Sequence, residues 1–295
     1  MKFIHEIYAQ ARAAGRPVLS LEFFPTKTDE GARTLFEKTI PALLAVKPDY
    51  CSVTYGAGGS TRDKTLGLVD RIQREHGLAA MMHLTCVNAT REELRSVVEH
   101  ARSLGVMNLL ALRGDPPDGK EFTKTEGGFE FSRELVAFLR ELGGFSIGTA
   151  GFPEGHIACQ AGKLVDWGYL RDKIAAGADL VLTQLFFDNE DFYRFHDHLK
   201  KNLGADVPII PGLLPVLSAG QTRRFTALCG AALPEKFLAR LDALGEDDAA
   251  AAEFGIEWAT EQSAALLKFG VQGLHYYTLN KPASTVRIVQ NLGLA

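Results

Sequence analysis

The 295-residue sequence is short of several things, and each absence narrows what it can be. No stretch reaches the ~18 consecutive apolar residues of a membrane span. The N-terminal MKFIHEIYAQARAAGR mixes charges into its apolar positions, unlike a signal peptide, so a cytoplasmic protein is expected. There is no block of basic charge: 32 Lys and Arg are scattered among 36 Asp and Glu, for a net charge of −4. Nucleic acid is therefore not an expected partner. The four cysteines, Cys51, Cys86, Cys159 and Cys229, form no CxxC and are read as buried, reduced thiols. Three catalytic signatures are missing too. No GxGxxG follows the first strand candidate, and no GxSxG occurs. The HxH that a metal-hydrolase barrel would place on the first strand is replaced by LEF. His196 and His198, two apart on an expected helix, point in different directions. No metal site is expected.

What remains is an ordinary globular composition, 46% hydrophobic and 23% charged. Short apolar segments alternate with longer amphipathic ones almost throughout. Strands are expected at 18–24, 50–56, 79–86, 107–114, 145–152, 180–187, 207–214 and 274–279. Helices are expected at 29–46, 62–76, 90–104, 131–142, 163–176, 189–202, 218–229 and 283–292, with one more over about 1–15. Thr90, followed by Glu92 and Glu93, is a capping signal. Repeated β-then-α units predict an α/β fold, a (β/α)8 TIM barrel in one domain spanning 1–295, with extra helices over about 230–270 inserted before the last strand. A doubly wound open sheet is the rival, weakened by the missing glycine fingerprint.

Such barrels build their sites at the C-terminal ends of the strands. There the sequence sets Glu22, Thr54 and Tyr55, His83 and Thr85, Arg113 and Asp115, Glu154 and His156, Gln184, and the YYTLN segment. Each has a bland reading: His83 as a satisfied core histidine, Arg113 with Asp115 as a structural pair, Gln184 as a tie to a buried carbonyl. Their gathering at one end of the barrel favours a site. Glu22 interrupts the apolar run LSLEFFPTKT. By strand parity Ser20, Glu22 and Phe24 share one face, which turns Glu22 into the lumen among apolar neighbours, where desolvation would raise its pKa toward about 6 to 7 and suit it to general-acid work.

Taken in order, EFFP, SVTYGAGGS, HLTC, ALRGDPP, FPEGH, TQLFFD, PGLLPV and YYTLN resemble the methylenetetrahydrofolate reductase family over nearly the whole chain. The resemblance implies an FAD-containing barrel that uses NADH or NADPH to reduce 5,10-methylenetetrahydrofolate to 5-methyltetrahydrofolate by ping-pong kinetics. It implies the catalytic barrel alone, without the S-adenosylmethionine-sensing domain of eukaryotic members. Glu22 would be the general acid, and Asp115 would lie near flavin and pterin. Thr54, Tyr55, Ala57, His83, Arg113, Gly114, Asp115, Phe152, His156, Asp166, Tyr169, Asp172 and Lys173 match the cofactor-binding positions. Gln184, Gln221, Phe225, Tyr277 and Lys281 match those that bind folate. The chain departs from the family at Thr26, Phe152, Ile157 and Lys281. A folate is the expected small-molecule partner, with no nucleic acid and no membrane, and a homo-oligomer is left open. The competing readings are a flavin-free pterin barrel that transfers a one-carbon group and a non-catalytic folate-binding barrel.

Overall fold

The computed structural model describes residues 2–55, 62–116 and 122–295. In chain order its elements are α1 (Ile4–Ala13), β1 (Val18–Phe23), α2 (Asp29–Thr34), α3 (Ile40–Leu44), β2 (Tyr50–Val53), α4 (Arg62–His76), β3 (Ala79–Thr85), α5 (Arg91–Ser103), β4 (Asn108–Leu112), α6 (Ser132–Leu142), β5 (Ser146–Gly151) and α7 (Lys163–Ala175). The second half continues with β6 (Leu180–Thr183), α8 (Asn189–Asp197), β7 (Ile209–Ile210), β8 (Gly212–Leu213), α9 (Ala219–Cys229), α10 (Glu235–Ala243), α11 (Asp248–Phe269), β9 (Gly273–Tyr277) and α12 (Pro282–Asn291).

Every described strand pairing is parallel, in the order β7-β6-β5-β4-β3-β2-β1-β9-β8. The two outer members are pieces of one extended run parted by Pro211, which has no N–H to give to a ladder. One piece pairs with β6 and the other with β9. Between them the carbonyl of Pro211 still accepts His275 N at 3.0 Å. Both ends of the sheet therefore meet in the same stretch of chain, and an α/β TIM barrel closes there. Closure brings backbones tightly together: a Cβ on Gly212 would lie 2.6 Å from the Tyr277 hydroxyl, so only glycine fits.

Side chains alternate between two cores, as the pleat requires. Leu19, Leu21 and Phe23 of β1, with Cys51, Val53, Met82 and Leu84, pack outward against the helices. The opposite face fills the lumen. Its floor is Tyr50, Met81, Leu110, Leu180, Leu182 and Ile210, stoppered by Ile4, Ile7 and Tyr8 of α1. The first amide groups of α1 would be orphaned by that burial. They are met by the barrel itself, Ile4 N donating to Asn108 Oδ1 at 2.9 Å and His5 N to Ser146 Oγ at 3.2 Å.

Two expected helices are interrupted. The run read as 29–46 contains a π-helical turn at Leu35–Thr39, and the run read as 189–202 ends in one at His198–Asn202. Pro41 explains the first: it lacks an N–H and its ring crowds the carbonyl four residues back, so the preceding turn widens. The expected capping box at Thr90 is present, with Thr90 Oγ1 accepting Glu93 N at 3.2 Å and Glu93 Oε2 accepting Thr90 N at 2.8 Å. Of the cysteines, Cys51 and Cys86 are buried, whereas Cys159 and Cys229 are half-buried and all four are unpaired. Among the described residues no helix is long and apolar enough to cross a membrane.

The helical structure before the last strand splits by role. Ile256, Ala259 and Leu266 of α11 join the main core, and the helix packs against α12 and α8 in the outer ring. Its first turns, with Phe237 and Leu241 of α10, instead build a separate cluster over Leu185, Phe187, Leu214 and Val216 at the C-terminal mouth of the barrel.

Candidate active site

Glu22 is 5% exposed, on β1 between Ser52 of β2 and Tyr277 of β9 in the strand register. Its surroundings are not apolar, as the sequence alone implied. Ser52 Oγ donates to Glu22 Oε2 at 3.1 Å. His83 Nε2 stands 3.2 Å and His275 Nε2 3.5 Å from the same oxygen, at ion-pair distance, and neither nitrogen has a well-aligned hydrogen-bond partner among the described residues. On its far side, His275 Nδ1 lies 2.9 Å from Ser20 Oγ, whose own proton goes to the Leu274 carbonyl at 3.2 Å. Ser20 is thus left as an acceptor, which puts a proton on Nδ1 of His275.

These neighbours reverse the expected electrostatics. Burial pushes the Glu22 carboxyl up, but the charge of His83 and the contact with His275 outweigh it and hold the pKa down to about 2. At neutral pH the carboxylate is ionised. Among the described residues no group of three or more His, Cys, Asp or Glu is arranged to hold a metal ion.

The backbone around Glu22 is clamped by the loop after β9. Thr278 Oγ1 donates to the Glu22 carbonyl at 2.6 Å. Asn280 grips Phe24 with both amide atoms, Oδ1 accepting its N–H at 3.0 Å and Nδ2 donating to its carbonyl at 2.8 Å. To do so Leu279 and Asn280 adopt φ of 49° and 57°, a region that costs most L-residues energy. Tyr277 is tied down beside them, its hydroxyl donating to Thr183 O at 2.5 Å. Burial and then the Glu22 charge raise its pKa well above the usual phenol value.

Around the rim lie the residues matched to flavin. Arg113, Gly114 and Asp115 follow β4. A Cβ on Gly114 (φ 82°) would come within 2.6 Å of Val87 Cγ1 and 2.8 Å of Thr85 Cβ, so the turn that presents Arg113 and Asp115 needs glycine. Arg113 lies over the Phe122 ring at 5.0 Å. Asp115 is exposed, close enough to influence the His156 imidazole. The Phe152 and His156 rings meet edge-on at 4.5 Å, and His156 N donates to Asp166 Oδ2 at 3.1 Å. Burial, followed by Arg113, pulls the His156 pKa down.

On α7, Asp166, Tyr169 and Lys173 recur on one face. The Lys173 stem is partly at the surface, but its ammonium is drawn inward to donate to Ala150 O at 2.6 Å, and burial lowers its pKa to about 8 despite Asp166. Asp172 is engaged by Arg171 at 2.6 Å. Thr54 and Tyr55 follow β2 at the same end. Ala57 falls outside the described residues.

The folate-matched residues are less tightly assembled. Gln184 turns Oε1 back to accept Leu185 N at 2.9 Å, beside Phe152, Glu154 and Cys229. Gln221 and Phe225 sit half-buried on α9, and Phe225 packs on the mouth cluster with Tyr277. Lys281 is exposed at the start of α12.

The sequence alone does not mark Ser20, Ser52 or His275 as site residues, and it reaches Asn280 only as the end of the YYTLN segment. For three of them a signal existed: Ser20 and Ser52 share the lumen face with Glu22, and His275 is two residues before Tyr277 on one strand face.

The arrangement matches known proteins. The family described as methylenetetrahydrofolate reductase matches residues 7–293. Methylenetetrahydrofolate reductase (NADH) 1 of Zea mays is 39% identical over all of this chain and 51% of its own length, so the chain spans about half of that relative. The 5,10-methylenetetrahydrofolate reductases of Pectobacterium carotovorum and Salmonella typhimurium are 36% and 35% identical, each aligned over 96% of this chain and 93% of their own length. Among solved structures, a Clostridium thermocellum protein described as binding two copies of 5-methyl-5,6,7,8-tetrahydrofolic acid superposes with a TM-score of 0.67 at 13% identity, over 97% of this chain and 98% of its own, a likeness of fold. A match that runs through every strand bearing a site residue leaves one assignment: the chain belongs to the methylenetetrahydrofolate reductase family.

Proposed function

We propose that the chain reduces 5,10-methylenetetrahydrofolate to 5-methyltetrahydrofolate, with FAD as cofactor and NADH or NADPH as electron donor. The observation that carries this reading is the Glu22 carboxylate, buried at the mouth of the barrel with two imidazoles at ion-pair distance, in a chain of this family.

The residues at hand fit a flavin. A buried ammonium at Lys173 without a carboxylate bonded to it suits a pyrophosphate, as a point charge rather than a fork. The buried Thr85 hydroxyl has no partner among the described residues and sits under the Gly114 turn. Thr54, Tyr55, Arg113, Gly114, Phe152 and His156 would hold the ring system and ribityl chain, and Asp166, Tyr169 and Asp172 the outer part. FAD, when bound, would supply the hydride-transfer chemistry that links the nicotinamide to the folate methylene carbon.

The chain's own residues do the rest. Opening the five-membered ring of the folate needs a proton on the nitrogen that carries the aminobenzoate, and Glu22 delivers it. The depressed Glu22 pKa leaves its carboxylate ionised, so the proton has to reach Oε2 from a neighbour, and the Nε2 atoms of His83 and His275, 3.2 and 3.5 Å away, are the groups at hand. Asp115 places negative charge near the cationic iminium that results. Phe225 offers its face to either ligand. Gln184, Gln221, Tyr277 and Lys281 hold the folate. Donor and folate binding in turn at one shared site would give ping-pong kinetics.

The test separates the half-reactions anaerobically. Purified protein is expected to be yellow, to bleach with NADH or NADPH, and to regain colour with methylenetetrahydrofolate. Glu22→Gln should bleach at close to the wild-type rate and recover colour at least about 10²-fold more slowly. Protein that remains colourless with added FAD, or a mutant that recovers at the wild-type rate, refutes the proposal.

A further inference from the structure

Helix α9 bears Gln221 and Phe225 and is held along its length by partly buried side chains, Ala219, Phe225 and Cys229 on the mouth cluster, and by Arg223 paired with Asp242. Of its 11 residues only Thr222 and Thr226 are buried, and both threonine hydroxyls bond within the helix. Leu228 is 67% exposed. With no apolar side chain of its own fully buried, the helix relies also on tethers at its ends. The N-terminal tether is Ser218, whose Oγ accepts Gln221 N at 3.2 Å.

The other tether comes from across the barrel. Glu154, in the loop after β5 that also carries Phe152 and His156, accepts the backbone N–H of Ala232 with Oε1 at 2.8 Å, three residues beyond the end of α9. Beside it, the Ile157 side chain lies against Gly230, close enough that a Cβ there would be 3.4 Å away. Phe152, Glu154, Gln184 and Cys229 line the crevice where the two segments meet. We infer that Glu154 is a positioning residue: its bond to Ala232 fixes α9 over the mouth of the barrel and so sets how well Gln221 and Phe225 meet the folate. The second half of that statement rests on the function proposed above, whereas the bond between the two loops does not.

Two measurements separate these parts. In hydrogen exchange on the protein alone, Glu154→Ala should speed exchange across 219–232 by about tenfold, the loss of one charge-assisted hydrogen bond, and leave β1 and β3 unchanged. Glu154→Gln keeps a carbonyl acceptor and should restore wild-type protection. In steady state, Glu154→Ala should raise KM for methylenetetrahydrofolate about tenfold, with kcat and flavin bleaching at saturating nicotinamide within about twofold of wild type, and Glu154→Gln should recover the low KM. Unchanged exchange in Glu154→Ala overturns the tether. Faster exchange with unchanged KM, equal loss in both half-reactions, or failure of Glu154→Gln to rescue overturns the positioning role. A wild-type protein that reduces no folate sinks the functional reading, and the exchange result then still decides the tether.

Discussion

His275 faces Glu22 with one ring nitrogen, 3.5 Å away, and Ser20 with the other, 2.9 Å away. An asparagine at 275 keeps a donor for Ser20 and loses the nitrogen that faces Glu22. His275→Asn should therefore raise the Glu22 pKa and slow flavin reoxidation by methylenetetrahydrofolate by about 10²-fold, with bleaching by nicotinamide unchanged. Stopped-flow traces of each half-reaction as a function of pH will show it, and equal slowing of both would count against a proton-handling role.

The same carboxylate links stability to acid. A folded pKa of about 2, against an ordinary value of 4.5, is a depressed one. Its stabilisation is present above pH 4.5 and is lost as pH falls toward 2, on the order of 3 kcal/mol in all. Urea denaturation of wild type and Glu22→Gln between pH 6 and pH 3 should show their stabilities converging as the medium acidifies. Parallel curves would mean that Glu22 gains nothing from its imidazoles.

Lys173 makes cofactor uptake depend on proton supply. With its pKa lowered to about 8, the ammonium is intact at pH 7 and disappears above 8. The FAD dissociation constant should be flat from about pH 6 to 7.5 and then rise by up to tenfold per pH unit. Lys173→Met should bind FAD about tenfold or more weakly at pH 7, with a flat profile. Fluorescence titration measures both, and a sloping profile in the mutant would assign the effect elsewhere.

The Asn280 clamp can be taken apart into bonds and backbone strain. Asn280→Ala loses two hydrogen bonds to Phe24 and keeps a β-carbon at φ 57°, so a loss of about 2 to 4 kcal/mol is expected. Asn280→Gly loses the bonds but relaxes the backbone, and should be more stable than the alanine variant by about 1 kcal/mol. Denaturant midpoints decide; an alanine variant equal to wild type would mean that the clamp carries no load.

Residue patterns alone foretold the barrel because each β-then-α unit is a local signal: an apolar run, a turn, an amphipathic stretch. What they could not foretell depended on contacts between distant segments. Pro211 looked like part of one strand at 207–214, and only pairing with β6 on one side and β9 on the other shows why two short pieces are found. Glu22 was recognised as a lumen residue, but its environment was misjudged. The residues that decide it come from β2, β3 and β9, which parity along β1 alone does not report. Asn280 is legible in the sequence only as the last residue of the YYTLN segment, and its role as a clamp shows only once its amide is found bridging the Phe24 backbone.

The stopper formed by α1 bears on traffic through the molecule. Ile4, Ile7 and Tyr8 seal the lumen from below, and the polar groups that lead up from that floor, Tyr8 to Tyr50 at 3.1 Å, then Ser20 and His275 at 2.9 Å, start on a phenol that is only 2% exposed. Glu22 thus stands above a polar thread whose lower end is closed to solvent. On the proposed mechanism a proton given up by Glu22 is replaced from the side by which ligands enter and leave, so an occupied mouth also shuts off the supply, and recharging waits for departure.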